Sequence, residues 1–354
     1  MSKFWSSTAT GLDPYQPGEQ PKAKQYIKLN TNESPYPCSP LALSAMKTEV
    51  SEDLRLYPDP NGDGLKQAIA DFYKLEKANV FVGNGSDEVL AHAFVGLLRQ
   101  PKPLAYPDIC YSFYPVYCNL FDIDANEVPL TDKFEIDPSD YAGIDGPVIL
   151  PNPNAPTGIA LSLAEIRTIL DRRADYTVII DEAYIDFGAE SAVSLIAKYP
   201  NLLVVQTLSK SRSLAGIRVG FAVGHPALIE ALERVKNSFN PYPLGRIELS
   251  GATAAMQDVE YFDSCRQKII ATREATTVSL KDLGFEVLTS SANFVFAKPP
   301  SNNNAEQLYI ALKEKGVLVR YFNKPRISEY LRISIGTDEE MAVLMAQLEL
   351  ILEA

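Results

Sequence analysis

From about Asn79 onward the chain alternates short β-rich runs with helical stretches, and this alternation limits the available folds more than any other feature. The runs are NVFVG (79–83), PLAYP (103–107), PVILPNPN (147–154), TVIIDEAY (177–184), LLVVQTLS (202–209) and VGFAVG (219–224). Between them lie the helix-like SDEVLAHAFVGLLRQ, SLAEIRTILDRRA and PALIEALERVKNSF. Strands that are apolar on both faces and separated by helices must be covered on both sides. The architecture that does so is an α/β fold with a mostly parallel, doubly wound sheet.

After Leu249 the pattern changes. One long helix is expected over about 250–283, then strands FEVLTS and NFVFAKP, a helix over 305–315, strands VLVRYF and YLRISIG, and a last helix from Asp338. That is an α+β layout with paired strands, and 354 residues suffice for one large domain and a smaller one. The expected division is an N-terminal arm, 1–29, rich in Pro, Gly and Gln; a large domain, 30–248; and a small domain, 249–354. PPSNNN (299–304) reads as a surface loop.

Composition removes several classes of function. With 33 basic and 45 acidic residues the formal charge is -12, which argues against a general nucleic-acid-binding face. Any bound anion must be held by a local positive pocket working against that field. No apolar run approaches the roughly 20 residues that span a bilayer, and the first residues lack the apolar core of a signal peptide. The expectation is a cytoplasmic protein without a membrane segment. Cys38, Cys110, Cys118 and Cys265 show no CxxC spacing and have no histidine beside them, which speaks against a disulfide framework and against a metal site. His92 and His225 lie far apart, in no triad or metal pattern.

In open α/β sheets ligands bind beyond the carboxyl ends of the strands, and here those ends carry unusual residues. VGNGSDE (82–88) is a glycine turn entering a helix, with Ser86 or Asp87 placed to cap it, and its backbone N–H groups at a positive helix end form a phosphate cradle. VIIDEAY sets Asp181 and Tyr184 at the end of an apolar strand. A carboxylate there requires a cation or hydrogen-bond donors, with a helix cap or a salt bridge as the plain alternative. An apolar run ending in Asp-Glu also describes a magnesium-binding strand of a nucleotide hydrolase, but that reading needs GxxxxGK[ST], and the dipeptide Gly-Lys occurs nowhere. A dinucleotide fingerprint fails as well, because Glu88 occupies the third glycine position after Gly83 and Gly85.

Lys210 follows the strand-like LLVVQTLS directly. A lysine amine condenses with an aldehyde to a Schiff base. Pyridoxal 5'-phosphate needs such a lysine, a carboxylate against its pyridine nitrogen and a phosphate site. The three occur in chain order as the cradle at 83–88, Asp181 and Lys210. Asp181 would keep the pyridine protonated and Tyr184 would hydrogen-bond the ring oxygen. Thr207 and Ser209, with Arg218 further on, would complete the phosphate grip.

With these residues in view, the chain resembles the fold-type I, class II pyridoxal-phosphate-dependent aminotransferases, through PNPNAPTG (151–158), DEAY (181–184), TLSKSRSLAGIRVG (207–220) and LRISIGT (331–337). LDPYQPG near the start, KLNTNESPY (28–36), RLYPDPNG (55–62) and KNSFNPY (236–242) make it similar to the histidinol-phosphate branch of that family over essentially its whole length. The resemblance implies that Lys210 carries the cofactor and then shuttles a proton, that Asn154 and Tyr184 contact the ring oxygen, and that Asp181 pairs with the pyridine nitrogen. It implies that Tyr111 stacks on the ring, although Tyr114 and Tyr117 in CYSFYPVY offer alternatives. Gly85, Ser86 and Asp87 would supply phosphate amides beside Ser209 and Arg218. It further implies a homodimer with shared active sites, in which Tyr57 reaches the partner's cofactor phosphate. Two departures stand out: Ala155 replaces a second asparagine, and Ser211-Arg212-Ser213 replaces a small-plus-aromatic run.

The same resemblance implies the substrates. Arg332 in LRISIG, with Arg320 in VLVRYF, would grip a phosphate or carboxylate, and Tyr15 and Asn32 would close over it from the arm. The implied reaction is reversible transfer of the amino group of L-histidinol phosphate to 2-oxoglutarate, giving imidazole acetol phosphate and L-glutamate, a step of histidine biosynthesis. An aromatic aminotransferase or a phosphothreonine decarboxylase would keep the cofactor residues and differ in the substrate shell.

Overall fold

The computed structural model describes residues 3–15, 18–20 and 26–353; Gln16 and Pro17 of the LDPYQPG stretch, and residues 21–25 of the arm, lie outside them. Thirteen strands occur in chain order among the described residues: β1 Ile27–Lys28, β2 Val80–Gly83, β3 Leu104–Pro107, β4 Ala125–Val128, β5 Val148–Pro151, β6 Val178–Asp181, β7 Leu202–Thr207, β8 Gly220–Gly224, β9 Glu286–Val287, β10 Phe294–Lys298, β11 Val317–Leu318, β12 Arg320–Tyr321 and β13 Leu331–Ser334. Seven form the central sheet in the order β2-β8-β7-β6-β5-β3-β4. All its pairings are parallel except those of β8, which runs antiparallel to both β2 and β7.

Side-chain alternation divides the core. Val148, Leu150, Val178, Ile180, Leu202 and Val204 face one apolar cluster; Ile149, Ile179, Leu203 and Val205 face another. This is the period-two consequence of covering both faces of the sheet with helices. All six β-rich runs read from the sequence are strands. Edge strand β4 escapes such a reading because three of its four residues, ANEV, are exposed.

The carboxyl-terminal region builds a four-stranded antiparallel sheet, β12-β13-β10-β9, over a third apolar cluster. The single helix expected over about 250–283 is two helices, Arg246–Gln257 and Val259–Asp282. Asp258 ends the first and caps the second, accepting from the Tyr261 N–H. The first of the pair buries Ala252, Ala255 and Met256 in the same cluster as Ala42, Leu65 and Ile69, so it packs with the large lobe. Residues 27–32 join the small lobe instead. β1 pairs in parallel with β11, and Leu29 is part of the small-lobe cluster. No helix among the described residues is long and apolar enough to cross a membrane.

Candidate active site

A cavity of about 940 Å³ opens between the lobes at the carboxyl ends of β5, β6 and β7. Asp181 is the last residue of β6 and is 5% exposed. Its Oδ2 accepts from the Tyr114 hydroxyl at 2.8 Å, while Oδ1 is buried with no partner among the described residues. Burial pushes its pKa up from 3.8 to about 6, against the lowering effect of Tyr114 and the Ala183 N–H. A buried carboxylate oxygen left open toward a cavity calls for a cationic N–H donor.

Lys210 follows β7 by three residues and lies on the same wall. Its Nζ donates to the Thr31 carbonyl at 3.1 Å and stands 5.8 Å from the centroid of the Tyr184 ring. Tyr184 Oη accepts from Asn32 Nδ2 at 3.0 Å, which leaves the phenol's own hydrogen to donate. Asn32 is fixed in turn: its N–H donates to Ser334 Oγ at 2.9 Å, its Oδ1 accepts from that hydroxyl at 2.8 Å, and its carbonyl accepts from Asn293 Nδ2. Its φ of 57° is left-handed, a conformation asparagine tolerates better than most residues.

The cradle forms where β2 enters helix Gly85–Ala93. No side chain among the described residues caps that helix. Instead of capping, Asp87 accepts from the Tyr111 hydroxyl and from Arg218 Nη2, both at 2.8 Å. The turn lies directly against β8, and a Cβ on Gly220 would stand 2.3 Å from the Ser86 nitrogen. Thr207 and Ser209 line the cavity and share a hydroxyl–hydroxyl bond of 2.9 Å.

Of the three candidate tyrosines, Tyr111 lines the cavity. Tyr114 is fully buried beneath Asp181, and Tyr117 donates to the Asp87 carbonyl at 2.6 Å. Asn154 is 1% exposed and lies behind a wall formed by Pro153, Ala155 and Pro156. Its Nδ2 already donates to the Ile109 carbonyl and Thr157 Oγ1, so its amide must release one of these before it can serve a ring oxygen. Tyr57 lies away from the cavity on the outer surface, stacked on Tyr242 at 4.7 Å. Two partners escaped the sequence reading: the Thr31 carbonyl, because a backbone group carries no side-chain signal, and Tyr114 as the support of Asp181.

At the small-lobe end, Arg320 and Arg332 are directly paired across β12 and β13, and both line the cavity. Arg332 sits 5.4 Å from the ring centroids of Phe294 and Phe322 and donates to the Asn30 carbonyl at 2.8 Å, while its buried Nε has no partner among the described residues. Burial lowers its pKa from the usual value, and the Arg320 charge adds to the lowering. Tyr15 closes the opposite side, its ring 4.7 Å from Phe113 and 6.5 Å from Tyr111.

The sequence profile of the family described as "Aminotransferase class I and II" matches residues 24–348. The chain belongs to the class I and II aminotransferases. Curated relatives of this aminotransferase include the histidinol-phosphate aminotransferase of Marinomonas sp. (strain MWYL1), 60% identical over 99% of both chains. Another is histidinol-phosphate aminotransferase 1 of Hydrogenovibrio crunogenus, 58% identical over 100% of this chain and 99% of the relative. Among solved structures, the histidinol-phosphate aminotransferase of Sinorhizobium meliloti in complex with pyridoxal-5'-phosphate superposes with a TM-score of 0.87 at 23% identity, over 100% of this chain and 98% of that one. At that identity the likeness speaks for the fold of the aminotransferase alone.

Proposed function

We propose that this aminotransferase interconverts L-histidinol phosphate and 2-oxoglutarate with imidazole acetol phosphate and L-glutamate, using pyridoxal 5'-phosphate, as a step of histidine biosynthesis. Arg320 and Arg332, opposite each other in the register of β12 and β13 and both lining the cavity, carry the substrate assignment. Two like charges on one side of a partly apolar pocket, one with an Nε that has no partner among the described residues, are matched by a dianion such as a phosphate monoester.

The residues present fit the cofactor. Lys210 would hold it through its amine, Asp181 through the open Oδ1, Tyr184 through its hydroxyl hydrogen, Tyr111 by stacking, and Asn154 at the ring oxygen once its amide turns. Its phosphate would take the N–H groups of Gly85, Ser86 and Asp87 with Thr207, Ser209 and Arg218. When bound, the cofactor supplies an electron sink for the carbanion left when a Cα proton departs. The chain's own part is positioning and proton transfer. Asp181 keeps a negative charge where the ring nitrogen must remain protonated. Lys210 Nζ, once released, takes the proton from Cα and returns it on the other side of the transfer. Tyr15 lines one wall of the cavity, and Asn32, itself 1% exposed, holds the Tyr184 hydroxyl in place from within it. In the glutamate half-reaction Arg332 holds a carboxylate.

We further read the enzyme as a homodimer in which Tyr57 serves the partner's cofactor phosphate; its 78% exposure supports that reading. A cytoplasmic location is supported by four free cysteines. Borohydride reduction followed by peptide mapping should place the cofactor on Lys210. A side-by-side assay should show kcat/KM for histidinol phosphate well above that for phenylalanine. A preference for phenylalanine would mark an aromatic aminotransferase, and carbon dioxide release from phosphothreonine a decarboxylase.

A further inference from the structure

Tyr57 leaves most of its ring in water, yet the backbone that carries it is held like a core turn. Lys236, itself 1% exposed, donates from Nζ to the Pro60 carbonyl at 3.0 Å. Its charge is matched by Glu233 at 2.8 Å, and Glu233 also takes Lys66 at 2.5 Å. Arg246 donates from Nε to the Leu56 carbonyl and from Nη2 to the Tyr57 carbonyl, both at 3.4 Å. Downstream, Asp59 accepts from the N–H groups of Asn61 and Asp63. The Tyr57 ring lies on Tyr242 with an interplanar angle of 25°. Thus RLYPDPNG and KNSFNPY, far apart in sequence, form one structural unit. A lysine is seldom buried, and spending one on a surface-loop carbonyl makes sense when the loop's aim matters.

We infer that Tyr242 is the platform, and Lys236 and Arg246 the backbone anchors, that aim Tyr57 into the active site of a second copy of the chain. These positioning residues therefore act on the partner's site and not on their own. The inference rests on the shared-site reading above. A competing route runs within one subunit, because Asn84, at the entrance to the phosphate cradle, donates from Nδ2 to the Pro243 carbonyl at 3.2 Å, next to Tyr242. The two routes predict opposite outcomes in mixed dimers.

The test uses full-length subunits carrying different tags, with two readouts: the pyridoxal phosphate concentration giving half-maximal borohydride-reducible adduct on Lys210, and transamination. Homodimeric Tyr242→Ala should weaken cofactor affinity roughly tenfold, the scale of losing one well-aimed hydrogen bond to a charged group. Tyr242→Phe, which keeps the platform, should stay near normal. In a dimer of one Lys210→Ala and one Tyr242→Ala subunit, the remaining Lys210 receives Tyr57 from the subunit whose platform is intact. Its cofactor affinity should return to normal, with about half the wild-type activity. Placing both lesions in one subunit opposite a wild-type partner should leave the remaining site tenfold weak. Equal affinities in the two arrangements, or a normal Tyr242→Ala homodimer, overturn the inference. A control pair of Lys210→Ala with Tyr57→Phe separates the two readings. If the control recovers and the Tyr242 pair does not, the positioning role fails alone; if the control does not recover, the shared site fails and the inference with it.

Discussion

Arg332 illustrates how much a single residue can be asked to do. Its guanidinium spends one nitrogen on the Asn30 carbonyl, while its buried Nε has no partner among the described residues. A lysine preserves the charge but offers only one nitrogen. Arg332→Lys is expected to lower kcat/KM for histidinol phosphate by roughly ten- to several-hundred-fold, the cost of one or two charge-assisted hydrogen bonds, with glutamate affected too and cofactor absorbance unchanged; near-normal kinetics would move the anchor to Arg320. Asp181 gives a pH signature. Its carboxyl is held near 6 in the fold against 3.8 ordinarily, so the apoprotein retains a proton that the unfolded chain has lost. This contribution to stability is complete below about pH 4 and falls away as pH rises through 6, by about 3 kcal/mol for a shift of roughly two pKa units. Denaturant melts of apoprotein between pH 4 and 7 should show that decline in the wild type. Asp181→Asn should lack it, and parallel curves would refute the assignment.

Among the elements, the contact between β8 and the cradle turn tolerates no added atom. A Cβ on Gly220 would meet the Ser86 nitrogen at 2.3 Å and the Gly85 carbonyl carbon at 2.4 Å, both backbone, with no flexible side chain to give way. Gly220→Ala should cost roughly 1–3 kcal/mol in stability as an overpacked site, and it should weaken cofactor binding by displacing the cradle amides. Gly216→Ala, with nothing within 4 Å of the added carbon, is the control. This scale also shows what could be read in the sequence. The strand that ends in Asp181 and the strand that leads into Lys210 were legible because a buried parallel strand is a continuous apolar run and a polar residue at or just past its end is conspicuous. β4 was not, since an exposed edge strand carries no such run. The break at Asp258 was missed because one capping aspartate within a long helical pattern looks like a surface residue. The seat of Thr31 and Asn32 in the small lobe depends on contacts with Ser334 and Asn293, which no local pattern announces.

For the whole molecule, the exposed faces of Tyr57, Leu54, Leu56 and Phe239 are where a second copy is expected to sit. Sedimentation equilibrium at micromolar concentration should give twice the chain mass, and a monomer with full activity would exclude shared sites. The cavity is joined from both ends of the polypeptide: Asn32 to Ser334, and the Asn30 carbonyl to Arg332, each spanning 302 positions. During synthesis the large-lobe half of the site, from the cradle to Arg218, is exposed first, and proteins fold their early segments as they emerge. Lys210 can therefore leave the ribosome exit tunnel well before the segment bearing Arg332 and Ser334 exists to fix Asn32 beside Tyr184. A nascent chain stalled before β13 would hold Lys210 in a half-built pocket, whose far wall closes only when Ser334 reaches Asn32 and Arg332 reaches the Asn30 carbonyl.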